Sequence, residues 1–133
     1  MAGSGFSVDA QISEKILEDF LEKNLTTLEK DLSLVGRQYP TITGPIDLLC
    51  KDKNNDFVVV ELKKGRTSDK VVGQILRYIA FIEDSMIEHE NQKVRGIIVG
   101  REIDKSLEMS LKAIRERDLQ LKTFDANIII NSV

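Results

Sequence analysis

The chain has 133 residues, a formal net charge of −3 at pH 7, 31% charged and 41% hydrophobic side chains. That length predicts one domain with a self-sufficient core, since only chains below about 80 residues need disulfides or metal as staples. A single cysteine, Cys50, excludes an intramolecular disulfide; a reducing, cytoplasmic setting is expected. Apolar runs such as Phe57 to Val60 fall far short of the roughly 20 residues of a membrane span. The opening MAGSGFSVDA has neither a basic segment nor an apolar one, so no secretory signal is expected. The acidic balance argues against a protein that grips nucleic acid with its whole surface.

Residues 1–12 are expected to be flexible, and 13–133 to form the domain. A helix is predicted from Ser13, a suitable N-cap with acidic Glu14 just inside, to about Glu29, with Leu17, Leu21, Leu25 and Leu28 on one face. Strands follow over 32–41 and 46–51. The polar run Asp52-Lys53-Asn54-Asn55-Asp56 is a turn, and 57–64 a third strand, making a hairpin. Gly65 to Ser68 reads as a break before a long helix that ends near His89. The wholly apolar segment Val94 to Val99 predicts a strand covered on both faces. A third helix is expected over 104–117 and short closing strands over 119–124 and 127–130. This order predicts an α/β fold with a mixed central β-sheet flanked by helices.

Charge is uneven along the chain. Residues 1–46 carry a net −3 and 80–133 a net −2, while 47–79 carry +2. Within that basic third three residues stand where strand packing does not want them. Asp47 interrupts Pro45-Ile46-Asp47-Leu48-Leu49, and Glu61 and Lys63 close Val58-Val59-Val60-Glu61-Leu62-Lys63. Alternation puts Glu61 and Lys63 on one face, about 6.6–6.8 Å apart along the strand. A turn centred on Asn54 sets Asp47 opposite Glu61, with side-chain bases about 4.5–5.5 Å apart. A slip of one residue would send Asp47 to the wrong face. Two carboxylates this close repel unless a cation lies between them, and hard oxygen ligands suit Mg²⁺ or Mn²⁺. A neighbouring lysine orients the attacking water or offsets phosphate charge. The set suits phosphodiester hydrolysis, although a cross-strand ladder of salt bridges would use the same residue types.

In these residues the sequence resembles the PD-(D/E)XK nuclease superfamily, through Gly44-Pro45-Ile46-Asp47 and Glu61-Leu62-Lys63. More narrowly it resembles the catalytic domain of NucS/EndoMS endonucleases, through Val35-Gly36-Arg37-Gln38-Tyr39-Pro40, Gly44 to Cys50, Val59 to Arg66 and Val72-Gly73-Gln74-Ile75-Leu76-Arg77-Tyr78. The resemblance implies a restriction-endonuclease-like fold and a metal-dependent endonuclease acting on branched or mismatched DNA, usually as a homodimer. It implies metal ligands at Asp47, Glu61 and Glu14, a catalytic Lys63, and Gln74 and Tyr78 lining the site. It also implies an N-terminal β-rich DNA-binding domain, for which 1–12 leave no room, so a separate domain or protein is the expected partner.

A helical wheel centred on Leu21, with Leu17, Leu25 and Leu28 within about 40° of it, places Glu14 at about 20°, projecting from the apolar stripe, and Glu18 at about 60°, toward its edge. Glu14 is therefore preferred as the helical acid, with Glu18 held as the fallback and an acid facing the helix dipole as the bland reading. Gln74 and Tyr78 are spaced i, i+4 and share a helix face; a hydrogen-bonded pair at the core boundary is the alternative. Lys64, Arg66, Lys70 and Arg77 are the candidates for contact with DNA phosphates, against a merely solvated face. One histidine, His89, and one cysteine give no zinc site rich in nitrogen and sulfur. The competing readings are a non-catalytic nucleic-acid-binding or assembly module on the same fold, and a junction resolvase or exonuclease.

Overall fold

The computed structural model describes residues 13–124 and 130–133. Three α-helices and six strands follow one another along these residues: α1 (Glu14–Lys23), β1 (Ser33–Thr41), β2 (Gly44–Lys51), β3 (Phe57–Thr67), α2 (Lys70–Ser85), β4 (Val94–Ile103), α3 (Lys105–Ala113), β5 (Leu119–Phe124) and β6 (Ile130–Ser132). The strands form a mixed sheet in the order β1-β2-β3-β4-β5-β6. The β1–β2, β2–β3 and β5–β6 pairs are antiparallel, whereas β3–β4 and β4–β5 are parallel. The parallel pairs need crossovers, which α2 and α3 supply. The expected helix-flanked mixed sheet is therefore the observed one.

Strand alternation divides the core in two. Leu48, Cys50, Val58, Val60, Leu62, Ile97 and Val99 pack with Leu17 and Leu21 of α1 and with Leu25 and Leu28 after it. Leu49, Phe57, Val59 and Ile98 pack with Val71, Val72, Ile75, Ile79 and Ile82 of α2. Cys50 is a buried free thiol, raised to about 12 by desolvation, and so packs as a small apolar group.

Several boundaries differ from the sequence reading. The first helix stops at Lys23, where the Asn24 amide donates to the Phe20 carbonyl at 2.9 Å; Leu25–Thr27 then form a single 3₁₀ turn. The second helix ends at Ser85 rather than near His89. The third ends at Ala113, followed by a 3₁₀ turn that finishes on left-handed Asp118. Gly65 is not a break. β3 continues to Thr67 and β4 to Ile103, with Arg66 facing Glu102 after an irregularity between Lys63 and Arg66. Pairing with a distant parallel strand overrides the local preference of a glycine. Of the last predicted strand, residues 127–129 lie outside the described residues, as do 1–12; Ile130 opens β6.

The β2–β3 turn fixes the register that the site needs. The Asp52 Oδ1 accepts the backbone N–H groups of Asn54 and Asp56 at 2.9 and 3.0 Å, and Asn55 sits at φ 66°. An Asx turn of this kind leaves little choice of pairing. Lys51 faces Phe57, and the ladder runs up to Leu48 facing Val60.

Candidate active site

One step beyond Leu48–Val60 the ladder ends, and side chains replace backbone. The Asp47 N–H donates to Glu61 Oε2 at 3.0 Å, and the Leu62 N–H donates to Asp47 Oδ2 at 2.8 Å. Each carboxylate thus takes a backbone donor of the other strand. The predicted register holds, and it brings Asp47 and Glu61 together. Lys63 lies half-buried two residues on.

The pair is electrostatically loaded. Glu61 is 1% exposed. Burial, then the charge of Asp47, pushes its carboxyl up to about 8, against the Asp47 N–H and the Lys63 charge. Burial also raises Asp47, opposed by the Leu62 N–H and the Gln38 amide. Glu18 adds to the rise at Asp47, and Lys63 works against it. A buried acid and a half-buried one that resist joint ionisation, with one half-buried lysine beside them, fit a cation site of hard oxygen donors. Among the described residues no group of three or more His, Cys, Asp or Glu is arranged to hold a metal; the fit rests on the two carboxylates.

The inner face of α2 carries the expected polar pair. The Gln74 amide donates to the Tyr78 phenol oxygen at 3.0 Å, and Tyr78 is 1% exposed. Burial raises the phenol, and the charges of Glu61 and Asp47 add to the rise while Gln74 opposes it. The hydroxyl lies 3.3 Å from where a Cβ would stand on Gly44, whose φ is +121°. That conformation and that clearance both call for glycine at the start of β2.

The helical acids differ from expectation. Ser13 caps α1, accepting the Ile16 N–H at 3.1 Å. Glu14 is exposed rather than projecting from the buried stripe, though its charge is felt at Glu61. The wheel gives its azimuth but not its height. Glu14 is the first residue of the helix, and its Cα–Cβ bond tilts toward the N-terminus, past the packed layer. Glu18, one turn further in, is 5% exposed. It is held by the Arg37 guanidinium and by the Gln38 amide, which donates to its two oxygens at 3.0 and 2.9 Å and to Asp47 Oδ1 at 3.1 Å. Arg37 and Gln38 are not among the site residues expected from the sequence. The available signal was Glu18 itself, because a carboxylate near an apolar stripe must find donors.

The four cations expected at DNA diverge. Lys63, Arg66 and Lys70 line a cavity of 220 Å³ with Thr67, Ser68, Val71 and Gln74. Arg66 is also paired with Asp104. Arg77 is exposed on α2 beside Gly73. The side chain of Lys64 lies outside the described residues. A larger cavity of 560 Å³, between α3 and β5, shares no residue with the carboxylate pair.

Residues 13–130 match the family model of the endonuclease NucS C-terminal domain. Endonuclease NucS of Methanocaldococcus jannaschii is 31% identical over 110 residues, which are 83% of this chain and 40% of that protein. Endonuclease NucS of Corynebacterium efficiens is 35% identical over 91 residues, 68% of this chain and 37% of that protein. The chain thus spans less than half the length of these curated relatives. Among solved structures, a repair endonuclease from Pyrococcus abyssi superposes with a TM-score of 0.73 at 22% identity, covering 87% of this chain and 48% of that one. An EndoMS complex with double-stranded DNA gives 0.72 at 23% identity, covering 86% and 45%. No helix among the described residues is long and apolar enough to cross a membrane.

Proposed function

We propose that this chain, which belongs to the endonuclease NucS C-terminal domain family, is a catalytic domain of PD-(D/E)XK type that hydrolyses phosphodiester bonds in branched or mismatched DNA with a divalent metal ion. The observation that carries this reading is the interlocked pair of half-buried Asp47 and buried Glu61, with Lys63 beside it. Mg²⁺ or Mn²⁺ is assigned to Asp47 and Glu61, with Glu14 at the rim. Once bound, the ion supplies Lewis-acid stabilisation of the phosphoryl oxygens and lowers the pKa of a water.

The chain's own groups do the rest. Lys63 orients the attacking water and offsets charge that grows on the phosphate. The Tyr78 oxygen accepts from Gln74, so its own proton is available to a phosphate oxygen. Arg66 and Lys70, at the neighbouring cavity, take up a further phosphate of the bound strand, and Arg77 extends that contact. Phosphate contacts of this kind position the strand without reading its sequence.

A cleavage assay with Mg²⁺ or Mn²⁺ across mismatched, forked, nicked and single-stranded DNA tests the reading. Metal-dependent cuts in mismatched or forked DNA, lost in EDTA, are expected. Binding without cleavage of any substrate would instead mark a non-catalytic module. Lys63→Met is expected to lower the rate at saturating Mg²⁺ by roughly 10²-fold, while the metal concentration for half-maximal rate changes little. The reverse pattern would make Lys63 a determinant of metal binding.

A further inference from the structure

We propose that Gln38 is a positioning residue that fixes the orientation of Asp47 by anchoring it to the buried carboxylate of Glu18. The inference rests on the metal-site reading of Asp47. Neighbouring side chains in an extended strand point to opposite faces, so Arg37 and Gln38 of β1 should diverge. Both instead reach Glu18. The backbone of Gln38 does the turning: its φ is +49°, in the left-handed region that non-glycine residues seldom enter. Backbone strain of this sort persists where the surroundings hold it, and such places cluster at functional sites.

The amide has two protons. Its nitrogen faces both oxygens of Glu18, at 3.0 and 2.9 Å, and Asp47 Oδ1 at 3.1 Å. One proton is shared over Glu18 and the other serves Asp47. Glu18 cannot turn away, because Arg37 holds it and is itself tied to Asp19 and Glu22 at 2.6 and 2.8 Å. A chain of fixed groups therefore runs from Arg37 through Glu18 and Gln38 to Asp47. With Oδ2 held by the Leu62 N–H and Oδ1 by Gln38, the Asp47 carboxylate has a donor on each oxygen. A preorganised ligand binds metal more tightly than one that must be ordered on binding. An amide suits this task better than lysine or arginine, since it brings no positive charge to compete with the ion. Gln38 is exposed, so core packing does not require it.

The test is Gln38→Ala in the whole chain, read by Mn²⁺ calorimetry, by the Mn²⁺ dependence of cleavage and by melting temperature. Mn²⁺ affinity is expected to fall about tenfold, with a matching rise in the metal concentration for half-maximal cleavage. Rate at saturating Mn²⁺ should fall by less than the affinity does, and the melting temperature by only about a few degrees, because Arg37 still holds Glu18. In a Glu18→Ala background, adding Gln38→Ala should cost little more, because the anchor has already gone. Unchanged Mn²⁺ affinity in Gln38→Ala, with a wild type that binds Mn²⁺ and cleaves, would overturn the proposal and leave the site reading standing. A wild type that neither binds Mn²⁺ nor cleaves would overturn both.

Discussion

Asp47→Asn is expected to reduce Mg²⁺-dependent cleavage by at least about 10²–10³-fold, the scale of losing one group that acts on transition-state charge. The substitution removes the negative charge while keeping an oxygen where Asp47 Oδ2 now accepts the Leu62 N–H. The fold should therefore survive. Asp47→Ala should lose as much activity but is a poorer control. It leaves the Leu62 N–H without its partner, and an orphaned buried donor costs about 1–3 kcal/mol. Rates from single-turnover cleavage, set beside melting curves, check the point. A fully active Asp47→Asn protein with an unchanged melting temperature would remove Asp47 from the chemistry.

Glu61 makes the second large prediction, and it concerns stability. In the unfolded chain a glutamate titrates near 4.5, whereas folded Glu61 is pushed up to about 8. Between those values the folded protein keeps a proton that the unfolded chain has lost. Raising the pH through that window therefore favours unfolding. The raised carboxyl of Asp47 acts in the same direction. Each tenfold change in proton affinity is worth about 1.4 kcal/mol, so the loss across the window is on the order of a few kcal/mol. Without metal, the melting temperature should fall by roughly 10 °C from pH 5 to pH 9. Glu61→Gln should flatten the curve and melt higher than wild type at pH 8, while abolishing cleavage. Saturating Mg²⁺ should restore stability to the wild type at pH 8 but not to the variant. A wild-type curve already flat without metal would contradict the electrostatic description of the pair.

The part of the site that the sequence makes legible is the part set by local chemistry. Asp52 to Asp56 is a turn on composition alone, and a turn centred on Asn54 places Asp47 against Glu61. The structure keeps that register, and adds the exchange of backbone donors where the ladder ends. Gln74 and Tyr78 meet because helical spacing makes them meet. What could not be read depends on distant chain. The extension of β3 through Gly65 is decided by β4, some 36 residues away in pairs such as Arg66–Glu102. The wheel puts Glu14 in the buried stripe, yet Glu14 is exposed and Glu18 is buried, because a wheel carries no depth. The wheel also treats Leu25 and Leu28 as helical, although α1 ends at Lys23. Gln38 stays hidden because alternation presumes extended backbone at every residue, and Gln38 is left-handed.

The interlocked pair of half-buried Asp47 and buried Glu61 is expected to hold a divalent cation. Mn²⁺ calorimetry near pH 7, repeated in buffers of different ionisation heat, tests it most directly. The expected result is saturable binding to the wild type with release of about one proton, since Glu61 gives up its proton to become a ligand. Binding should be lost, and the proton release with it, in Glu61→Gln. Absence of Mn²⁺ binding to the folded wild type, or equal binding by wild type and Glu61→Gln, would contradict the claim.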